Sequence, residues 1–188
     1  MKNIIEKILA LPKWYGYCVM LIYAVLATEY MTEINSFFLK QGIEVTSLFR
    51  TFMQLSYIAA ILSSIAVIVV LALLFHLMAL LLDGSQKFGK FLSATALTCI
   101  VPSICMLIAI ILMDDINIDD SENTMSILLQ SKRFQIAQYV VNGSFIPLYI
   151  IIASIIHYSY KTTWFRSCLS VIIPVISIWG VAELFSLL

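Results

Sequence analysis

The stretch LSYIAAILSSIAVIVVLALLFHLMALLL, residues 55–82, contains no Asp, Glu, Lys or Arg. A helix needs about 20 mostly apolar residues, each adding 1.5 Å, to cross the hydrocarbon core of a bilayer. This run is longer than that, so we expect it to tilt or to project beyond the membrane at one end. The stretch therefore predicts a membrane-spanning helix.

Apolar segments of similar length lie on both sides of this run. Of the 188 residues, 62% are hydrophobic and 12% are charged, whereas water-soluble domains usually contain about a quarter charged residues. We expect the first segment to be retained as a span rather than cleaved as a signal peptide. The predicted fold class is all-α, with residues 1–188 forming one integral membrane domain, a five-span transmembrane helical bundle. The other four predicted spans cover residues 14–30, 91–113, 139–160 and 167–188.

The charged residues between the spans predict an orientation. Seven of the eleven basic residues fall in segments 1–13, 83–90 and 161–166, and the other four fall in segments 31–54 and 114–138. Because basic residues are enriched in cytoplasmic loops, we expect a cytoplasmic N-terminus. Five spans then place the C-terminus on the extracytoplasmic side. Eight of the eleven acidic residues fall on that outer side, so the predicted protein is dipolar.

The connecting segments carry further expectations. Residues 114–138 begin with an acidic cluster and continue as an amphipathic piece, for which we expect an outer helix along the membrane surface. Residues 40–52 form either a second such helix or the projecting start of the second span. Asp83-Gly84 should end the second span, with Gly84 at positive φ as the C-terminal cap. The prolines inside spans three to five should bend those helices; they are Pro102, Pro147 and Pro174.

The segment GSQKFGKF, residues 84–91, falls one residue short of the phosphate-binding pattern G-x-x-x-x-G-K-[ST]. That loop requires a preceding strand, a following helix, and a Ser or Thr after the lysine to hold magnesium. Here a membrane helix precedes the segment, and Phe91 stands at the Ser/Thr position. The context therefore predicts a helical turn and not a nucleotide site.

Ionisable residues inside apolar segments are the candidate functional or structural polar residues. Glu183 lies within the last span, where an acid usually faces the bundle, forms a pair or serves a pathway. The favoured interpretation is an outer structural network of Glu183 with Arg50 or Gln54; proton or substrate handling and simple solvent exposure are the alternatives. His76 and His157 are expected to form interhelical hydrogen bonds.

The sequence predicts no metal site, no cofactor and no catalytic residues. His76, His157, Cys99 and Cys168 would lie in the inner half of the bilayer, but no two of them share a helix at i, i+3 or i+4 spacing. The run beginning at Asp115 resembles the start of a calcium loop, yet it lacks the glycine and the final glutamate of that loop. No familiar catalytic motif is present, so an enzyme is disfavoured.

Two stretches resemble the bacterial branch of the Yip family, named for Rab-interacting proteins. The first is HLMALLLDGSQKFGKFLSATALTCIVPS, residues 76–103, with Gly84, Phe88 and Pro102 at the family's positions. The second is YKTTWFRSCLSVIIPVI, residues 160–176, which is similar to the family's last turn and Pro-containing final helix. The chain departs from the eukaryotic branch because only about 13 residues precede its first span.

This resemblance implies a non-enzymatic membrane protein of trafficking or transport machinery, with no catalytic residues to carry over. We therefore expect an accessory or assembly factor in a bacterial cytoplasmic membrane. Its expected partners are the lipid bilayer and another membrane protein, with an export transporter among the candidates and homo-oligomers allowed, but no nucleic acid. The alternatives are a small transporter or transporter subunit, and an immunity protein against a membrane-active peptide.

Overall fold

The computed structural model describes residues 2–39, 47–114, 116 and 124–186, and within these ranges the chain is helical apart from short turns. The all-α prediction is thus confirmed for the described residues. The helices, in chain order, are α1 (Lys2–Ala10), α2 (Lys13–Leu39), α3 (Ser47–Leu81), α4 (Phe88–Thr98), α5 (Ile100–Asp114), α6 (Thr124–Gln130), α7 (Lys132–Tyr160) and α8 (Trp164–Ser186).

Five helical stretches of the described residues are long and apolar enough to cross a membrane. Each corresponds to one of the spans predicted from the sequence, and this number of membrane-length helices indicates a multi-pass integral membrane protein. The third stretch combines α4 and α5. The five stretches are Lys13–Ser36, Thr51–Leu81, Phe88–Asp114, Lys132–Tyr160 and Trp164–Leu184.

Several helices extend beyond the apolar segments that predicted them. α2 continues to Leu39, α3 begins at Ser47, and α7 begins at Lys132 rather than at Tyr139. Hydropathy marks where a helix is apolar enough for lipid, but a helix continues until a residue or a turn ends it. Residues 47–52 are therefore the projecting start of the second span, while residues 40–46 lie outside the described residues.

The N-terminal segment forms a separate helix that the hydropathy pattern did not predict. α1 ends at Ala10, two residues before Pro12, and α2 begins at Lys13. α1 contacts α4, and its Ile5 side chain is buried. The apolar residues of α1 recur at helical spacing, with Ile4, Ile5, Ile8 and Leu9 between the charged positions. This amphipathic pattern in the sequence could have predicted α1.

The third span is interrupted between α4 and α5. Cys99 separates the two helices, and its N–H bonds to the Ala96 carbonyl at 3.1 Å, three residues back instead of four. Pro102 follows in the first turn of α5, where its missing N–H leaves the carbonyl of the preceding turn without a helical donor. By contrast, α7 continues through Pro147 and α8 through Pro174. The third span is thus broken just before Pro102, whereas Pro147 and Pro174 lie inside continuous helices, and the bends predicted at the three prolines stay predictions.

The turn after α3 is a Schellman cap whose left-handed residue is Asp83. The Gly84 N–H bonds to the Ala79 carbonyl at 2.9 Å, and the Asp83 N–H bonds to the Leu80 carbonyl at 3.2 Å. These are the two bonds that define the motif. Asp83 has φ 67°, so the prediction that Gly84 supplies the positive φ is wrong. Gly84 is needed for space instead, because a Cβ there would lie 2.6 Å from the Ala79 oxygen and 2.8 Å from Tyr160 Cδ1.

The described chain divides into two compact units. The first unit comprises Met1–Met20, Val67–Cys99 and Pro147–Leu188, and the second comprises Leu21–Ala66 and Ile100–Ile146. In the first unit, the largest fully buried side chains belong to Phe75, Phe91, Ile155 and Ile156. Ser167 and Ser170 are buried there too; Ser167 donates to the carbonyl of Thr163, just before α8, and Ser170 donates to the carbonyl of Arg166.

The core of the second unit joins α2, α5, α6 and α7. Leu128 of α6 is buried in it together with Phe134 of α7. The amphipathic outer piece predicted for residues 114–138 is therefore two short stretches: α6, seven residues long, and the first turns of α7. Leu128 packs into the core of its unit, whereas the neighbouring Ile127 and Leu129 are exposed. The acidic run from Asp115 lies mostly outside the described residues.

Candidate functional site

An open groove between α2 and α3, within the second unit, is the candidate functional site. Its volume is about 1020 Å³, which is at the upper end of the range of small-molecule sites. Both helices contribute alternating polar and apolar side chains to its walls. The groove is lined by Thr28, Met31, Thr32, Asn35, Met53, Gln54, Ser56, Tyr57, Ile58 and Ala60.

The helical repeat explains why these residues share a surface. On α2, Thr28, Thr32 and Asn35 are spaced by four and three residues, which places them on one face of a helix. Met53, Tyr57 and Ala60 repeat the same spacing on α3. A polar stripe on α2 thus lies opposite a mixed stripe on α3, and the space between the two stripes is the groove.

Hydroxyl groups in the groove already donate their protons within their own helices. Thr28 Oγ1 donates to the Ala24 carbonyl at 2.9 Å, and Thr32 Oγ1 donates to the Thr28 carbonyl at 2.8 Å. Ser56 Oγ donates to the Met53 carbonyl at 2.8 Å on the other wall. The proton of each hydroxyl is thus used locally, while its oxygen retains acceptor capacity.

A hydrogen bond between Glu29 and Tyr57 joins the two walls. The Tyr57 hydroxyl donates to Glu29 Oε1 at 2.5 Å. A short O–H···O distance of this kind is typical of a carboxylate acceptor. Glu29 is half-buried and lies about 24 Å along α2 from Lys13 at 1.5 Å per residue. An acid at such a position is costly in a membrane, which makes it a functional candidate by default.

Four other side chains of the groove walls suit a small molecule that is mostly apolar and carries a few polar groups. Met31 and Met53 are flexible and polarisable, so they adapt to irregular apolar shapes. Asn35 and Gln54 each carry an amide that both donates and accepts hydrogen bonds. A largely apolar groove with a few polar groups of this kind is the usual composition of a small-molecule site.

His76 lies in a separate, buried cluster of the first unit. Its Nδ1 hydrogen-bonds with the hydroxyl of Tyr160, which joins α3 to α7 as predicted for an interhelical histidine. The His76 ring lies 5.3 Å from the ring of Phe88 and 6.0 Å from that of Phe91, between centroids. With aromatic rings around it and a tyrosine partner, His76 has the surroundings of a packing residue.

His157 forms a local contact instead of the interhelical bond predicted for it. Its Nδ1 lies 2.6 Å from the Thr162 carbonyl oxygen, in the turn that follows α7. Its ring stacks on Trp164, with centroids 4.6 Å apart. The prediction was wrong because Lys161, at φ 56°, folds the chain back immediately after α7 and brings the Thr162 carbonyl to the ring.

Two further contacts join the turn after α3 to the end of α7 and the start of α8. Gln86 Nε2 donates to Ser159 Oγ at 2.8 Å, and Arg166 Nη1 donates to Asp83 Oδ2 at 2.8 Å. Both side chains of the ion pair are largely exposed. Together with the His76–Tyr160 bond, these contacts hold the turns of the first unit in place.

Glu183 lies on α8 in the first unit with an exposed side chain that makes an interaction within the chain. The side chain of Arg50 lies outside the described part of the structure. The predicted network of Glu183 with Arg50 or Gln54 therefore stays a prediction. Gln54 is found on the groove wall of the second unit.

Sequence reasoning assigned no role to Glu29, which lies at the end of the first predicted span, residues 14–30. The available signal was the spacing of Thr28, Thr32 and Asn35, which continues a helical face beyond that segment.

Within the described ranges, no group of three His, Cys, Asp or Glu side chains is placed to hold a metal ion. Comparisons with protein-family models, curated proteins and solved structures find no match to this chain.

Proposed function

We infer that this chain is a non-enzymatic membrane protein that acts as an accessory or assembly factor by binding another membrane component. The observation that carries this proposal is the α2–α3 groove beside an α3 surface with few neighbours. Phe52 is 66% exposed and Leu55 is 62% exposed, so this end of α3 presents large apolar side chains. An exposed apolar surface beside a largely apolar groove with a few polar groups supports the binding of another membrane component at this end of α3.

The resemblance of residues 76–103 and 160–176 to the Yip family supports the same function, as does the lack of a catalytic motif. Under this proposal the protein resides in a bacterial cytoplasmic membrane with its N-terminus inside and its C-terminus outside. The excess of basic residues in segments 1–13, 83–90 and 161–166 supports this orientation. The groove then lies in the outer half of the bilayer and opens to components that reside there.

Site-specific photocrosslinking in native membranes tests the proposal. A photoreactive amino acid replaces Ser56 in the groove, and the matched control replaces Ile150 of α7, which is 52% exposed. We expect discrete adducts from position 56 and only diffuse lipid adducts from position 150. Identical adduct patterns at the two positions would overturn the proposal.

A second candidate function, a small transporter or transporter subunit, is favoured by the interrupted third span. Broken helices in transporters expose backbone groups to a substrate or an ion near the middle of the membrane. The Thr95 hydroxyl, one turn before the break at Cys99, is buried and has no hydrogen-bond partner. Solute or ion flux into liposomes that contain the purified protein, abolished by Glu183→Gln, would favour this candidate over the accessory role.

A further inference from the structure

We propose that the starts of α2 and α4 together bind the phosphate of an anionic phospholipid through the ammonium groups of Lys13, Lys87 and Lys90. These residues belong to the first unit. The inference therefore goes beyond the proposed function, which concerns the α2–α3 groove of the second unit. It follows from the convergence of the three lysines, from their lack of ion pairs, and from their level in the membrane.

The convergence results from the packing of α2 against α4. The Ser93 hydroxyl donates to the Lys13 carbonyl at 3.0 Å, which fixes the start of α2 beside α4. The Lys13 side chain then reaches the first turn of α4, where its Nζ lies 4.0 Å from the position that a Cβ on Gly89 would occupy. Lys90 directly follows Gly89, and Lys87 immediately precedes α4. Because a lysine ammonium sits on a flexible four-carbon stem, all three can approach one ligand.

The three lysines are exposed, and none of them forms an ion pair among the described residues. Residues 1–20 and 83–98 together contain five basic residues and two acidic ones. Asp83 pairs with Arg166, and Glu6 makes an interaction of its own within the chain. Like charges that gather without acidic partners repel one another, and a bound anion replaces that repulsion with attraction. The cluster is thus suited to an anion.

The level of the lysines in the membrane identifies the anion as a lipid headgroup. Two of the membrane-length stretches begin here, Lys13–Ser36 and Phe88–Asp114. Lipid headgroups lie at this boundary of the hydrocarbon core. Trp14 is 56% exposed and Tyr17 is 40% exposed beside Lys13, and these residue types are enriched in the headgroup layer. Tyr17 lies one turn after Lys13 on the same face of α2, so an acyl chain can follow that face while the phosphate contacts the lysines.

The orientation rule alone does not account for this arrangement. That rule requires basic residues in the same connecting segments, but it sets no position for one lysine relative to another. Here the lysines come from two connecting segments, residues 1–13 and 83–90, and the Lys13 ammonium lies over the first turn of α4. Such a meeting of basic side chains between membrane helices is characteristic of headgroup-binding sites.

The test uses Trp14 as a local reporter, because it directly follows Lys13. The chain contains three tryptophans, so Trp164→Phe/Trp179→Phe leaves Trp14 as the sole source of emission. This full-length parent is placed in phosphatidylcholine vesicles that contain either brominated phosphatidylglycerol or brominated phosphatidylcholine, whose bromines quench tryptophan on contact. We expect stronger quenching of Trp14 by the anionic lipid at equal mole fraction. If the parent does not fold, the difference in quenching between the wild type and Trp14→Phe measures the same emission.

The preference for the anionic lipid should then depend on the cluster. Lys13→Gln should lower it about fivefold, which corresponds to about 1 kcal/mol for one lysine at an anionic surface. Lys13→Arg, which keeps the charge, should retain it. The matched control is Lys132→Gln, because Lys132 is also exposed and is also the first residue of a long helix. This control should leave the preference unchanged.

Three results would overturn the inference. The first is equal quenching of Trp14 by the two brominated lipids. The second is an equal loss of preference in Lys13→Gln and Lys132→Gln, which would show that net charge and not the cluster attracts the lipid. The third is recovery of Trp14 emission on adding glycerol 3-phosphate at constant ionic strength, which would show that the lysines bind a free phosphate ester instead of a lipid.

Discussion

Gly16 of α2 lies directly against the backbone of Ser93 of α4. A Cβ built at position 16 would overlap the Ser93 carbonyl oxygen and lie 2.8 Å from Ser93 Oγ. The Ser93 hydroxyl in turn donates to the Lys13 carbonyl at 3.0 Å, one turn earlier in α2. Small residues allow membrane helices to approach closely enough for such contacts. This crossing is the closest approach found at a described glycine.

Gly16→Ala is expected to destabilise the protein by about 1–3 kcal/mol, because the added methyl group forces the two backbones apart. Thermal unfolding in detergent, followed as loss of the monodisperse peak in size-exclusion chromatography, measures the effect. Gly143→Ala is the matched control: a Cβ there meets nothing within 4 Å, and alanine favours helix. An equal loss in both variants would contradict the close approach.

Tyr160→Phe should destabilise the first unit by about 1 kcal/mol, because it removes the hydroxyl that pairs with buried His76. Tyr139→Phe, at a side chain that is 76% exposed, is the control and should change stability little. Denaturant unfolding in micelles gives both values. The double variant His76→Phe/Tyr160→Phe should cost less than the sum of the single variants, since neither partner is then left unpaired. Simple additivity would show that the two side chains are not coupled.

Asp83 should be replaceable by glycine but not by valine. Asp83→Gly removes the ion pair with Arg166, which is largely exposed and contributes about 0–1 kcal/mol. It also relieves a left-handed backbone at φ 67°, so stability should change by less than about 1 kcal/mol. Asp83→Val loses the same ion pair and adds strain of about 1–2 kcal/mol. If the two variants lose equal stability in denaturant unfolding, the backbone argument fails.

The proposed orientation predicts the side on which single cysteines react. With a cysteine at position 120 or position 87, a membrane-impermeant maleimide added to intact cells should label position 120 only. Position 87 should react after the membrane is opened, which is the control for its reactivity. Labelling of position 87 but not position 120 in intact cells would reverse the orientation.

Composition and hydropathy predicted the class of fold and the number of membrane-length helices, because the bilayer requires long apolar runs. They did not predict α1, the extension of α2 to Leu39, or the residue at which the third span breaks. α1 and the end of α2 contain many polar residues. Hydropathy averaged over a window of residues is therefore low there, although the residues are helical. The break combines Pro102, which the sequence showed, with a turn at Cys99, which depends on local backbone geometry.

The candidate site was less predictable than the fold. His76 was correctly expected to bond another helix, yet its partner Tyr160 is far away in sequence and only the packing of α3 with α7 identifies it. Glu29 was overlooked because its importance depends on Tyr57 of the neighbouring helix. A charged residue within a span can be identified from the sequence. Its hydrogen-bond partner on another helix can be identified only from the three-dimensional structure.

The contact of α1 with α4 has a consequence for biosynthesis. The ribosome makes α1 before α4, and the roughly 80 residues between them take several seconds at about 5–20 residues per second. During that interval α1 is an amphipathic helix without its protein neighbour, and the membrane surface is the place where such a helix rests. The contact between α1 and α4 therefore forms only after α4 has been made.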